Sequence, residues 1–230
     1  MDYPRIIAHR CGGALAPENS LAGLDVAARI GCRGVEFDTM LAADGVPVLM
    51  HDDSVDRTTN GRGAVAALTS AELRALDLGG EPVPLLAEAI ERCHELGLWA
   101  NIELKTSRDG EARLGETAGR FLAERWDGHG VISSFSETAL AAARRQAPGF
   151  AYAWLVERLP SDWADHADRL GVVAIHCAAR HADAETVAAI RAAGYAVACY
   201  TVNSRARAEA LSAMGATAIF TDRPDFWPPA

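Results

Sequence analysis

The sequence predicts an α/β protein: a (β/α)8 TIM barrel with a small subdomain inserted after the second strand. Three observations predict it. Eight short β-type runs alternate with helix-type segments from one end of the 230 residues to the other. The runs are apolar on both faces, as strands of a parallel sheet covered on both sides must be. Chemically unusual polar residues collect at the C-terminal ends of those runs, the rim on which barrel enzymes assemble their sites. A doubly wound open sheet accommodates the same alternation and is the competing architecture.

Taken in order, the first strand is Arg5–His9, followed by a helix over Ser20–Ile30 that Ser20 caps and Gly31 stops. The second strand is Gly34–Met40. After it, the Asp44-Gly45 turn leads into VPVLMHDD and a polar, glycine-containing stretch from Ser54 to Glu81. That segment reads as a hairpin-like extension and an insertion at about 52–82, lying over one end of a single barrel domain. A helix over Ala87–Leu96 ends at Gly97 and returns to the third strand, Trp99–Lys105. Strands over Val131–Ser134, Phe150–Val156, Val172–His176, Ala196–Thr201 and Ala218–Thr221 complete the set. Between them, Glu137–Ala147 and Ala184–Ala193 carry apolar residues at i, i+3 and i+4, the helical period. Ser136 and Ser204 stand where a hydroxyl can cap free helical N–H groups, and Gly194 and Gly215 stand at helix ends.

Composition narrows the classes. A chain of this size exposes roughly 10,000 Å² when folded and buries about 70% of its unfolded surface, enough for one core without staples. The 22 Lys and Arg against 31 Asp and Glu give a formal charge of −9, which argues against a nucleic-acid partner. The five cysteines (11, 32, 93, 177 and 199) are scattered and form no CxxC pair, so neither a disulfide framework nor a zinc knuckle is expected. The opening MDYPRIIAHR carries an acid at position 2 and no signal-like apolar stretch. Runs such as Val197–Tyr200 and Leu96–Ala100 are far too short to span a bilayer. The expected setting is the cytoplasm, without stable membrane association.

The chemistry sits at strand ends. Glu36 and Asp38 lie two apart on the second strand and so share a face; Glu103 and Lys105 repeat that spacing on the third. If Glu36, Asp38 and Glu103 converge, they need a cation, because carboxylates about 4 Å apart repel by roughly 4 kcal/mol at an effective dielectric of 20. Three hard oxygen ligands without a thiolate favour one divalent cation, Mg²⁺ or Ca²⁺. Solvated acids paired with arginines are the plainer alternative. Arg10 and Lys105 carry the charges that a phosphate needs, and His9 and His51 are the candidates for proton transfer. His176, ending a strand, either lines the pocket or lies outside it. His94, His129, His166 and His181 read as surface residues.

AHRCGGALAPENS, VEFDTMLAADGVPVLMHDD, VDRTTNG, ANIELK, ISSF and YTVN, in that order, resemble the glycerophosphodiester phosphodiesterase family. The likeness runs from about Pro4 to Asp222 and is greatest to the short cytoplasmic bacterial enzymes linked to glycerol-3-phosphate uptake. It implies metal-dependent hydrolysis of glycerophosphodiesters to sn-glycerol 3-phosphate and an alcohol. By position, Glu36, Asp38 and Glu103 resemble the family's metal ligands, His9 and His51 its acid/base pair, and Arg10 and Lys105 its phosphate contacts. His51 is favoured as the acid. Glu18, in the PEN motif, is either a further substrate-binding residue or a helix-start acid, and Asn19 reads as structural. Two departures stand out: Cys11 replaces the glycine that usually follows His-Arg, and LDLGGEPVPLL is shorter than in close relatives. Cys11 has no neighbouring base in the motif, so a nucleophilic role is not expected. A lysolipid-cleaving phospholipase and a non-catalytic phosphate-binding barrel are the competing functions on this scaffold.

Overall fold

The computed structural model describes residues 3–106 and 110–227. Parallel strands β1 (Ile6–Ala8), β2 (Gly34–Leu41), β4 (Trp99–Leu104), β5 (Gly130–Ser134), β6 (Tyr152–Val156), β7 (Ala174–Ala178), β8 (Ala196–Tyr200) and β9 (Ala218–Thr221) pair in sequence order. β1 pairs with both β9 and β2, which closes the barrel. That closure excludes the open-sheet alternative, and the remaining strand, β3 (Pro47–Leu49), pairs antiparallel with the far end of β2 outside the barrel. Helices α1 (Leu21–Arg29), α3 (Leu86–Leu96), α4 (Glu111–Arg125), α5 (Glu137–Gln146), α6 (Trp163–Leu170), α7 (Ala184–Ala192) and α8 (Arg205–Met214) surround it, with a short α2 (Ser70–Arg74) in the extension.

The caps account for the helix boundaries. Ser20, Ser136 and Ser204 each accept a backbone N–H of the first helical turn, and Gly97 and Gly215 close α3 and α8 in the left-handed conformation. α4 and α5 approach closely because Gly115 and Gly119 face the α5 backbone: a Cβ at Gly115 would stand 2.3 Å from the carbonyl oxygen of Ala139.

Two apolar layers hold the barrel. The outer one fills the space between strands and helices with residues such as Leu24, Phe37, Ile102, Leu122 and Ile175. The inner one is built from small residues, Ala153, Ala174, Ala198 and Ala218, and the room they leave is taken by Tyr3, Trp99 and Phe220. His176 belongs with this inner layer. It is fully buried, its Nε2 lies 3.0 Å from the Tyr3 hydroxyl, and its ring meets Phe220 edge-on. β7 starts two residues later than the alternation suggests, so His176 keeps its inward face but drops one layer below the rim. Burial pushes its pKa down to about 3, and it stays a neutral core residue.

The segment after β3 forms a separate apolar cluster of Met50, Val55, Val65, Leu73, Leu78 and Val83 with Met40, Ala42 and Val48. A capping box, Thr69 with Glu72, starts α2 within it. The cluster seats His51 and Asp52 beside the C-terminal end of β2.

Candidate active site

Alternation on β2 and β4 brings the acids inward, and register then sets them side by side: Asp38 pairs with Glu103, and Glu36 with Asn101. One carboxylate oxygen from each of Glu36, Asp38 and Glu103 lies within 4.8 Å of the others, and all three side chains are buried. The loop after β1 holds two of them. Arg10 and Cys11 turn the chain with left-handed φ values of 52° and 75°, which aims the Arg10 N–H at Glu36 Oε2, 2.7 Å away. Asn19 grips Asp38 twice, donating from Nδ2 to Oδ2 (2.9 Å) and accepting the Asp38 N–H at Oδ1 (3.0 Å). Glu36 Oε1 is buried with no hydrogen-bond partner among the described residues.

Burial and the neighbouring Asp38 push the pKa of Glu36 up to about 8 and that of Glu103 up to about 7. Such a cluster is short of positive charge. Lys105 supplies part of it from 3.2 Å (Glu103) and 3.6 Å (Asp38), and these acids outweigh its burial and raise its pKa. An orphaned carboxylate oxygen among hard oxygen donors is what a divalent cation fits.

The two histidines flank the acids. His9 Nδ1 is 2.7 Å from Asp222 Oδ1, and its Nε2 is 4.0 Å from Glu36 Oε2. Burial works against a charge on His9, but Asp222 and Glu36 prevail and raise its pKa. His51 Nδ1 is 2.6 Å from Asp52 Oδ1, and its Nε2 is 2.9 Å from the Lys105 ammonium. Burial, with Lys105 and Arg10 nearby, lowers the His51 pKa. Arg57 then bridges the extension to the first loop, donating to Asp52 and, with both terminal nitrogens, to Glu18. Glu18 also accepts from Arg10 at 3.0 Å.

His9, Arg10, Glu36, Asp38, His51, Glu103 and Lys105 thus line one cavity of about 220 Å³, whose opposite wall is Phe135, Leu155, Tyr200 and Phe220. Glu18 stands beside it, in a second hollow that shares His9 and Arg10, and its carboxylate engages arginines rather than the start of α1. Cys11 is fully buried with its thiol pushed well up by that burial, so it is no nucleophile. His94, His129, His166 and His181 lie outside the cavity. Asp52, Arg57, Asp222 and the apolar wall escaped the sequence reading. Asp222, directly after the last strand, satisfies the same strand-end criterion that singled out the others.

The sequence model of the glycerophosphoryl diester phosphodiesterase family matches residues 9–226. The chain belongs to this family. Its fold and its activity class, cleavage of glycerophosphodiesters, come with that membership. The glycerophosphodiester phosphodiesterase of Caldanaerobacter subterraneus subsp. tengcongensis is 30% identical over 96% of this chain and 94% of its own. That of Bacillus subtilis is 28% identical over 96% of this chain and 84% of its own. Among solved structures, an Oleispira antarctica phosphodiesterase in complex with the product sn-glycerol-3-phosphate superimposes with a TM-score of 0.93. It is 36% identical and covers 97% of this chain and 94% of its own. The likeness extends over nearly the whole barrel.

Proposed function

We propose that the chain releases sn-glycerol 3-phosphate and an alcohol from small glycerophosphodiesters, with a divalent cation at Glu36, Asp38 and Glu103 and with His9 and His51 moving the protons. The observation that carries this reading is the convergence of three buried carboxylates, two cations and two imidazoles on one 220 Å³ cavity. Mg²⁺ or Ca²⁺ suits the donor set, and when bound it supplies charge neutralisation and polarises the phosphoester.

The chain's own residues do the rest. Arg10 and Lys105 face the cavity and bind the phosphate oxygens, with Glu18 holding the Arg10 guanidinium in place. His51 looks onto an ammonium at 2.9 Å, where only a neutral ring can accept, so it is the base for the attacking water or glycerol hydroxyl. His9, flanked by Asp222 and Glu36, carries the proton for the leaving alkoxide. This reverses the assignment favoured by the sequence, which could not reveal Lys105 opposite His51. Residues 52–82 act as an insertion in a single barrel domain, held over the mouth by the Arg57–Glu18 pair. Among the described residues, no helix is long and apolar enough to cross a membrane.

The test is release of glycerol 3-phosphate from glycerophosphocholine, followed by a coupled dehydrogenase. Chelation abolishes release, and added Mg²⁺ or Ca²⁺ restores it; undiminished turnover in excess chelator refutes the metal role. His51→Ala and His9→Ala each lower kcat by roughly 10²–10⁴-fold. Preference for micellar lysolipid over glycerophosphocholine would favour the phospholipase reading instead.

A further inference from the structure

The imidazole of His9 has a partner 213 residues away, and that partner is itself held. Asp222 Oδ1 meets His9 Nδ1 at 2.7 Å, while Asp222 Oδ2 accepts from Asn203 Nδ2 at 2.7 Å. The orientation of Asn203 is not free. Its Oδ1 accepts the backbone N–H of Asp222 at 2.8 Å and the Thr221 hydroxyl at 3.2 Å, so its amide nitrogen must be the end that faces the carboxylate. The main chain here is anchored without the carboxylate: the Ala14 N–H donates to the Asp222 carbonyl at 2.7 Å, and the His9 N–H donates to the Thr221 carbonyl at 3.0 Å. The Asp222 side chain is therefore spare for another task.

We propose that Asp222, locked by Asn203, is a positioning residue that keeps a proton on His9 Nδ1 and leaves Nε2 as the atom that exchanges protons with substrate. The inference rests on the reading of His9 as a proton-transfer residue. A carboxylate can only accept, so the ring nitrogen facing it must carry hydrogen in both protonation states. Nε2, the nitrogen on the Glu36 side, then holds the mobile proton. His51 differs, because its carboxylate partner Asp52 is shared with a guanidinium, whereas Asp222 is backed by a neutral amide.

Asp222→Asn tests this with nearly unchanged shape. Asn203 Nδ2 still needs an acceptor, so the new side chain must turn its carbonyl to Asn203 and its NH₂ to His9. That amide demands a lone pair on Nδ1 and forces the ring proton to Nε2. Imidazole ¹⁵N shifts of the Mg²⁺-saturated protein, recorded at a pH where His9 is neutral, should show Nδ1–H in the parent and Nε2–H in Asp222→Asn. The kcat for glycerophosphocholine should fall by roughly 10²–10⁴-fold, with KM and calorimetric Mg²⁺ affinity within about threefold of the parent. Asp222→Glu should recover part of the loss, and Asn203→Ala should give a smaller one at a melting temperature that shows it folded. A parent protonated at Nε2, an unchanged tautomer in Asp222→Asn, or a kcat within about threefold of the parent overturns the proposal. If the parent itself does not turn over glycerophosphocholine, the proposed function fails, and the tautomer measurement alone decides the role of Asp222.

Discussion

Replacing Glu36 with Gln should stabilise the metal-free protein while removing its function, and the gain should depend on pH in a defined way. Glu36 is 2% exposed and shares a 4.8 Å cluster with two other carboxylates. At that separation and an effective dielectric of 20, each pair of charges repels by roughly 3 kcal/mol, partly offset by Lys105 and His9. Neutralising Glu36 should therefore contribute about 3 kcal/mol, or roughly 6–12 °C in Tm for a chain of this length. The amide oxygen can still accept the Arg10 N–H, so the local fold is kept. The sign follows from linkage. The folded-state pKa of about 8 lies above the ordinary 4.5, so the metal-free folded chain binds more protons than the unfolded one between those values. Its stability then falls as pH rises through that window. Urea unfolding in chelator should show no gain for Glu36→Gln at pH 4.5 and the full gain at pH 8.5 or above. Saturating Ca²⁺ should invert the order by stabilising the parent more, with affinity for the variant down at least roughly 10–100-fold. An equal gain at both pH values, or none at pH 8.5, would refute the claim that burial and the neighbouring carboxylates together destabilise an ionised Glu36.

Other outcomes follow from the same structure. Gly115→Ala, which in an isolated helix would gain about 1 kcal/mol, should instead destabilise by at least about 2 kcal/mol by pushing α4 off the α5 backbone, as read by thermal melting. Between pH 6.5 and about 3, the unfolded chain protonates His176 while the folded core refuses the proton. Stability should fall by about 1.4 kcal/mol per pH unit from this group as the pH drops, and His176→Gln should flatten that limb of the urea-derived profile. Cys11→Gly relieves a left-handed strain of about 1–2 kcal/mol but loses a buried thiol of similar worth, so Tm and kcat should both stay close to the parent.

How far the sequence carries depends on the kind of signal. Strand positions were legible because a doubly covered strand must be apolar on both faces; most predicted limits fall within one or two residues of those observed, as at Ala218–Thr221. Helix limits were legible wherever a Ser or Gly fixed them, as at Ser136 and Gly97. The placement of β7 is displaced by two residues at both ends, because Val172 and Val173 look like strand while Val173 lies 41% exposed before the strand begins. That small shift moved His176 from the rim into the core.

The site divides along the same line. Identity, spacing and position at strand ends were enough to nominate Glu36, Asp38, Glu103, His9, His51, Arg10 and Lys105, because side-chain alternation along a strand is a local property. Which of them touch is non-local. Register between β2 and β4, the left-handed turn at Arg10, and the return of the chain at Asp222 after the whole barrel has been traversed set the distances that decide charge and tautomer. One-dimensional pattern names the chemical groups of this protein. Only closure of the barrel brings an acid from its last strand end to the imidazole of its first, and proton position, unlike residue identity, is set by what lies within hydrogen-bond reach.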